Sequence, residues 1–168
     1  MTEYYTEHFS GVVVWRIHRG VVTILIVPTR FKGTMQIKIP GGKNEPEELP
    51  IQTAWRELRE ETGLSPGPLS GEMTELEAAR FRTPGGAHTR YFFLVDLDEL
   101  VGTIRTTPYG DPQKDKVLFP PEWATARDLL RGDPEQQIFE NHRSALEVAL
   151  AHLSEARLDV AHAVFDLI

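Results

Sequence analysis

Ile39 to Leu64 reads IPGGKNEPEELPIQTAWRELREETGL, and the rest of the chain is organised around it. The stretch opens on a turn, Pro40-Gly41-Gly42, passes through a short acidic loop and ends in a helical pattern crowded with carboxylates. Pro50 suits the first turn of a helix, where its missing N–H goes unused. Gly63 stands where a helix ends in a left-handed residue. At about 100° per residue, Ile51, Ala54, Trp55, Leu58 and Thr62 share one broad face, and Glu57, Glu60 and Glu61 fall on a neighbouring stripe. The first face needs a core. The second needs a cation.

The reason is repulsion. Glu57 and Glu61 are four apart, and like charges at that spacing destabilise a helix. Glu60 adds a third negative charge. Arg56, four residues before Glu60, is placed to pair with it, but one guanidinium does not neutralise three carboxylates. A hard divalent cation such as Mg²⁺ does so readily, because it takes oxygen ligands and leaves positions for waters and phosphates. An acidic run in isolation is more often a solvated helix face. The surrounding residues change that balance.

Gly42, Glu48, Arg56, Glu57, Leu58, Glu60, Glu61, Gly63 and Leu64 follow the spacing Gly, five residues, Glu, seven residues, Arg-Glu-apolar-any-Glu-Glu-any-Gly-apolar. With residue types at roughly 5–10% each, a chance match somewhere in the chain has odds below about 10⁻⁷. The pattern resembles the signature of the Nudix hydrolases. That resemblance implies an α/β fold: an α/β/α sandwich with a mixed sheet and the box helix, here followed by C-terminal helices. It also implies hydrolysis of a pyrophosphate bond in a nucleoside diphosphate linked to another group, with Mg²⁺ or Mn²⁺. Nucleotide sugars, nucleoside triphosphates and dinucleotides are the substrate classes.

Carried over residue by residue, the resemblance makes Glu57, Glu60 and Glu61 the metal-binding carboxylates and the Gly41 carbonyl a further ligand. Arg56 orients the glutamates, Gly42 belongs to the substrate-binding turn and Glu48 fixes the loop. Glu57 is the first choice for the base that takes a proton from water. Some members use a downstream carboxylate instead, and of the two candidates, Asp115 and Glu122, Asp115 is preferred as base or metal ligand. Features that mark subfamilies do not stand out. Ala79-Arg80 occupies the place of the proline seen in ADP-ribose hydrolases, Gly41-Gly42 leans away from diadenosine polyphosphate hydrolases, and Ile37 replaces the usual large aromatic before Pro-Gly-Gly. The alternative, a nucleotide-binding module of the same fold without turnover, fits a box that has lost glutamates. This one retains all of them.

The 168 residues suffice for a single domain, 1–168, with a helical extension from about residue 134. An apolar content of 40% and a charged content of 26% are those of an ordinary globular protein. A net charge of −7 argues against nucleic acid or an anionic membrane as partner. It leaves a small-molecule nucleotide open, because a bound metal inverts the local field. The absence of cysteine removes thiolate chemistry, disulfides and cysteine zinc sites. Neither a signal-peptide pattern nor a run of about 20 apolar residues is found, so the expectation is a cytoplasmic protein.

Ser10 to Ile17 and Val21 to Val27 are β-branched runs joined by His18-Arg19-Gly20 and predict a hairpin. Thr29 to Thr34 is expected as a polar loop. Within it, Arg30 and Lys32 are candidates for contact with substrate phosphates. Ser65 to Gly71 is expected to be a loop, and Glu72 to Arg82 and Arg90 to Leu97 a second pair of strands turning at Pro84-Gly85-Gly86. The long polar segment Leu100 to Lys116 has the length of a binding loop or lid. Val117 to Trp123 reads as a final strand interrupted by prolines, Ala124 to Leu130 as a short helix, and Glu135 to Leu153 and Ser154 to Leu167 as two further helices, with Ser154 as N-cap. The last helices either cover the sheet or join two copies in a homodimer. The six histidines, among them His88 and His142, have no metal or triad spacing and read as surface or structural. Trp123 and Phe31 are the aromatics considered for stacking a base.

Overall fold

The computed structural model describes residues 7–68, 73–82, 89–131, 138 and 140–156. Its strands are β1 (His8–His18), β2 (Val21–Phe31), β3 (Thr34–Lys38), β4 (Gly41–Lys43), β5 (Leu64–Pro66), β6 (Thr74–Glu75), β7 (Phe81–Arg82), β8 (Thr89–Asp96), β9 (Leu100–Gly102), β10 (Tyr109–Asp111), β11 (Lys116–Leu118) and β12 (Glu122–Thr125). The helices are α1 (Pro50–Thr62), α2 (Ala126–Arg131) and α3 (Glu140–Ala156). Among the described residues no helix is long and apolar enough to cross a membrane.

β1 is the centre of a mixed sheet. It runs antiparallel to β2 and β4 and parallel to β8, with His8 opposite Thr89 and Trp15 opposite Asp96. Its near-continuous apolar run follows from cover on both faces. Val13 and Trp15 of β1, Ile24 of β2 and Phe92 and Leu94 of β8 face α2 and α3, where they meet Leu129, Leu146, Leu150 and Leu153. Val12 and Val14, Leu25, and Phe93 and Val95 point the other way, onto Ala54 and Leu58 of α1. The period-two alternation of each strand therefore supplies two cores. The result is the expected α/β/α sandwich, with α3 forming part of one outer layer.

β2 changes partners halfway along. Its first half lies between β1 and β12, and its second half between β3 and β11. The switch falls at Pro28, which has no N–H to donate. Opposite it, Phe119-Pro120-Pro121 interrupts the neighbouring strand, so β11 and β12 read as one strand broken by prolines. The Phe119 N–H donates to the Pro28 carbonyl at 2.9 Å and holds the break together. Beside this switch lies a cleft between β3, β4, β11 and the end of α1.

Several sequence expectations need correction. Thr29 to Thr34 is no loop: β2 continues to Phe31 and turns into β3 through Lys32 (φ 49°) and Gly33 (φ 79°). Two successive positive φ values are those of the tight hairpin turn that matches strand twist. Arg19 (φ 53°) and Gly20 (φ 79°) make the same turn between β1 and β2. Glu72 to Arg82 is no continuous strand. A 3₁₀ turn at Glu77–Ala79 separates β6 from β7, both antiparallel to β8, because Glu and Ala are poor strand formers. Leu64–Pro66 and Leu100–Gly102 pair as a small second sheet where loops were expected. The last described helix runs unbroken through Ser154, which is therefore an interior residue and no N-cap. Pro84-Gly85-Gly86, His88 and the helix expected beyond residue 156 lie outside the described residues.

Candidate active site

α1 forms where the sequence places it. Pro50 occupies its first turn, the Gln52 side chain accepts the Leu49 N–H at 2.8 Å, and Gly63 ends it at φ 88° with its N–H on the Arg59 carbonyl at 2.9 Å. Arg105 anchors the C-terminal end from outside: Nε donates to the Glu61 carbonyl at 3.0 Å and Nη2 to the Phe119 carbonyl at 3.1 Å. This ties the acidic helix to the broken strand beside the cleft. The Gly-Gly turn packs without slack. A Cβ on Gly41 would lie 2.6 Å from the Ser10 carbonyl oxygen, and one on Gly42 would lie 2.5 Å from the Glu57 carboxylate. The Glu57 carboxylate can approach β4 only because Gly42 has no side chain, and β4 can lie this close to β1 only because Gly41 has none.

The three glutamates divide into two groups. Arg56 holds one. Its Nε and Nη2 donate to the two Glu48 oxygens at 2.9 and 3.0 Å, while Nη1 donates to Glu57 at 2.9 Å and to Glu60 at 3.2 Å. A fifth bond, from Nη2 to the Lys43 carbonyl at 2.9 Å, fixes the loop. Burial tends to raise the Glu48 carboxyl, but hydrogen bonds from Arg56, Thr53 and the Glu45 N–H bring it down to about 2. The Glu48 hydrogen bond in turn raises Arg56 above its ordinary value.

Glu61 belongs to the second group and points inward, with 4% of its side chain exposed against 38% for Glu60. Its Oε1 accepts the Gly41 N–H at 2.8 Å and its Oε2 accepts from Lys38 Nζ at 2.9 Å. Lys38 Nζ also donates to the Gly41 carbonyl at 2.8 Å. Between the groups lies Glu57, whose carboxyl is raised by burial and by the charge of Glu61, with Arg56 and Lys38 opposing. Among the described residues, no three acid or histidine side chains converge as a ready-made cage for a metal ion. The donors are hard oxygens of the kind that suit Mg²⁺ or Mn²⁺, and basic side chains currently hold them.

These groups line a cleft of about 590 Å³ together with residues from far along the chain: Lys114, Lys116, Arg90, Tyr109, Phe31 and His142. Five cations, Lys38, Lys43, Arg90, Lys114 and Lys116, share it with three glutamates. Burial lowers Lys116, as does the charge of Lys38. His142 is buried, with Nδ1 accepting the Ile39 N–H at 3.1 Å, and burial together with Lys38 and Arg90 keeps it well below the ordinary histidine value. It therefore packs as a neutral ring, within 6 Å of the Phe9 and Phe92 rings.

Of the residues singled out in the sequence, Gly41, Gly42, Glu57, Glu60 and Glu61 line this cleft, with Arg56 bonded to two of them. Arg30 and Lys32 do not. They are exposed on the β2–β3 hairpin, with Arg30 over Phe119 and Lys32 over Phe31. Residues of a strand alternate sides, so it is Thr29 and Phe31 that reach the cleft. Asp115 sits in an exposed turn (φ 49°), its carbonyl accepting the Lys32 N–H at 3.0 Å, and its neighbours Lys114 and Lys116 line the cleft instead. Glu122 pairs with Ile26 on the far half of β2. Trp123 lies beneath the Arg16 guanidinium, 4.0 Å from its ring centre, as part of the second core. Sequence reading missed Lys38, Lys116, Arg90 and the position of His142. The one available signal for Lys38 was its charge within an otherwise apolar strand entering the Gly-Gly turn.

The family model of the NUDIX domain matches residues 8–143. This chain belongs to the Nudix family. No curated protein sequence matches it closely enough to count as a relative. Among solved Nudix-like structures, the E. coli ORF135 protein superposes with a TM-score of 0.61 at 19% identity, over 94% of this chain and 96% of that one. An ADP compounds hydrolase matches with a TM-score of 0.63 at 18% identity, over 89% and 74% of the two chains. The Ap4A hydrolase of C. elegans matches with a TM-score of 0.53 at 17% identity, over 88% and 98%. At these identities the likeness establishes the Nudix fold and leaves the substrate to the site itself.

Proposed function

We propose that this Nudix protein hydrolyses a pyrophosphate bond in a nucleoside diphosphate linked to a further group, with Mg²⁺ or Mn²⁺ as cofactor. The observation that carries this reading is the composition of the cleft: five cations facing three clustered glutamates in a protein of net charge −7. Such a cleft attracts an anion that the rest of the surface repels. Lys114 and Lys116 come from β11 and the turn before it, opposite the glutamates, and grip phosphate oxygens across the cleft. Phe31 and Tyr109 at the rim supply ring faces for a base. Glu57 and Glu60 would hold the divalent ion, each having one oxygen left over from its bond to Arg56. When bound, that ion screens the phosphate charge and makes a water acidic enough to attack. Glu57 would receive the proton, and Arg56 keeps its carboxylate oriented.

The test is a turnover screen over nucleoside triphosphates, sugar nucleotides and dinucleotides, with each metal and with chelator. Release of nucleoside monophosphate or phosphate only with a divalent ion is the expected result. Thermal stabilisation by nucleotides with no turnover under either metal would instead favour a binding module.

A further inference from the structure

The Gly41 carbonyl and the Glu61 carboxylate are two of the four groups on which family resemblance places metal, the others being Glu57 and Glu60, and these two are already engaged by a cation. Lys38 Nζ lies 2.8 Å from the first and 2.9 Å from the second, with only 6% of its side chain exposed. The other Glu61 oxygen accepts the Gly41 N–H, so both oxygens of this carboxylate are hydrogen-bonded within the protein. Glu57 and Glu60 differ. Each gives one oxygen to Arg56, and the structure assigns their second oxygens no partner among the described residues.

We propose that Lys38 is a built-in cation that takes the place of one divalent ion in this site, so that the free protein loads metal on Glu57 and Glu60 only. The proposal rests on the reading of the cleft as a metal-dependent hydrolase site and names the residue that sets its metal count. A lysine ammonium is a compact point charge with three donors, and here one donor reaches the carbonyl and another the carboxylate. A divalent ion needs the same lone pairs, and two cations a few ångströms apart in a site this dry repel strongly. A divalent ion that displaced Lys38 would pair the Glu61 carboxylate again but leave the Lys38 ammonium, 6% exposed, buried without a partner, which is costly. The lysine therefore stays and the ion is excluded.

Manganese binding to the purified full chain, counted by electron paramagnetic resonance and calorimetry, tests this without reference to turnover. Lys38→Met is expected to bind about one more ion per chain than the wild type, and the double variant Lys38→Met/Glu61→Gln to lose that ion again. Equal counts in the folded wild type and Lys38→Met would overturn the proposal. Should Lys38→Met not fold, the wild type decides. With ¹³C-labelled lysine and saturating Mg²⁺, the Lys38 Cε signal is expected to remain that of a buried, ion-paired amine. Its movement to the position of exposed lysines would overturn the proposal. A wild type that shows the expected difference in ion count but cleaves no nucleotide would refute the hydrolase reading and leave this one standing. Turnover with unchanged ion counts would do the reverse.

Discussion

The two ends of α1's acidic stripe solve one electrostatic problem differently. At the outer end, Glu57 and Glu60 are held by Arg56, a residue of the same helix, through bonds that leave each carboxylate an oxygen to offer. At the inner end, Glu61 is held by Lys38, from a strand 23 residues away in sequence, and both of its oxygens are committed. The outer pair is poised for exchange with a ligand. The inner pair is built into the fold, because a buried carboxylate without a partner is far more costly than an exposed one.

Removing the charge at the junction of the two ends should have the largest consequence. Glu57→Gln is expected to lower kcat by at least about 100-fold, the lower range for a lost general base. The same variant should melt at a higher temperature than the wild type in metal-free buffer, because the repulsion from Glu61 is relieved. Steady-state kinetics and thermal melts on one preparation check both. A fall in both activity and melting temperature would mean that the Arg56 bond outweighs the repulsion.

Breaking the outer grip comes next. Arg56→Ala leaves Glu48 and Glu57 with side chains 13% and 14% exposed and without their cation, which should cost about 3–5 kcal/mol in urea unfolding. Acid sharpens the same contrast. Glu48 has its folded value lowered from 4.5 to about 2, so its contribution is fully present above pH 4.5 and is lost as the pH falls towards 2. The loss is about 3 kcal/mol and should vanish from the pH profile of Glu48→Gln. Glu57 works in the opposite sense: with its folded value raised, it weakens the fold at neutral pH, and that penalty fades as the pH falls through the raised value. The smallest effect belongs to the far wall of the cleft. Lys116→Ala should raise KM about tenfold, the value of one charged hydrogen bond, with the melting temperature unchanged.

The legible part of this protein is the part governed by spacing along one element. The helix boundaries at Pro50 and Gly63, the apolar face carrying Ala54 and Leu58, and the Arg56–Glu60 pair all follow from distances of a few residues. The β1–β2 hairpin and the proline-broken last strand were legible for the same reason. Misreadings occurred where partners decide. Thr29 to Thr34 looked like a loop because its polar residues belong to a strand whose other half lies in the core. Ser154 looked like a cap because the sequence does not show that α3 continues through it. Arg30 and Lys32, expected at phosphate, lie off the cleft, since the pleat sends Thr29 and Phe31 to it instead.

By itself the sequence determined the family, the box helix and the set of carboxylates, because a regular helix converts residue spacing directly into angular position. Only the tertiary structure decided that Lys38, Arg90 and Lys116 share the cleft with those carboxylates, and that Glu61 is already paired. Those contacts depend on the register of β11 against β2 and of β8 against β1. Both are set by how the two faces of the sheet pack against α1 and α3, which no local spacing encodes.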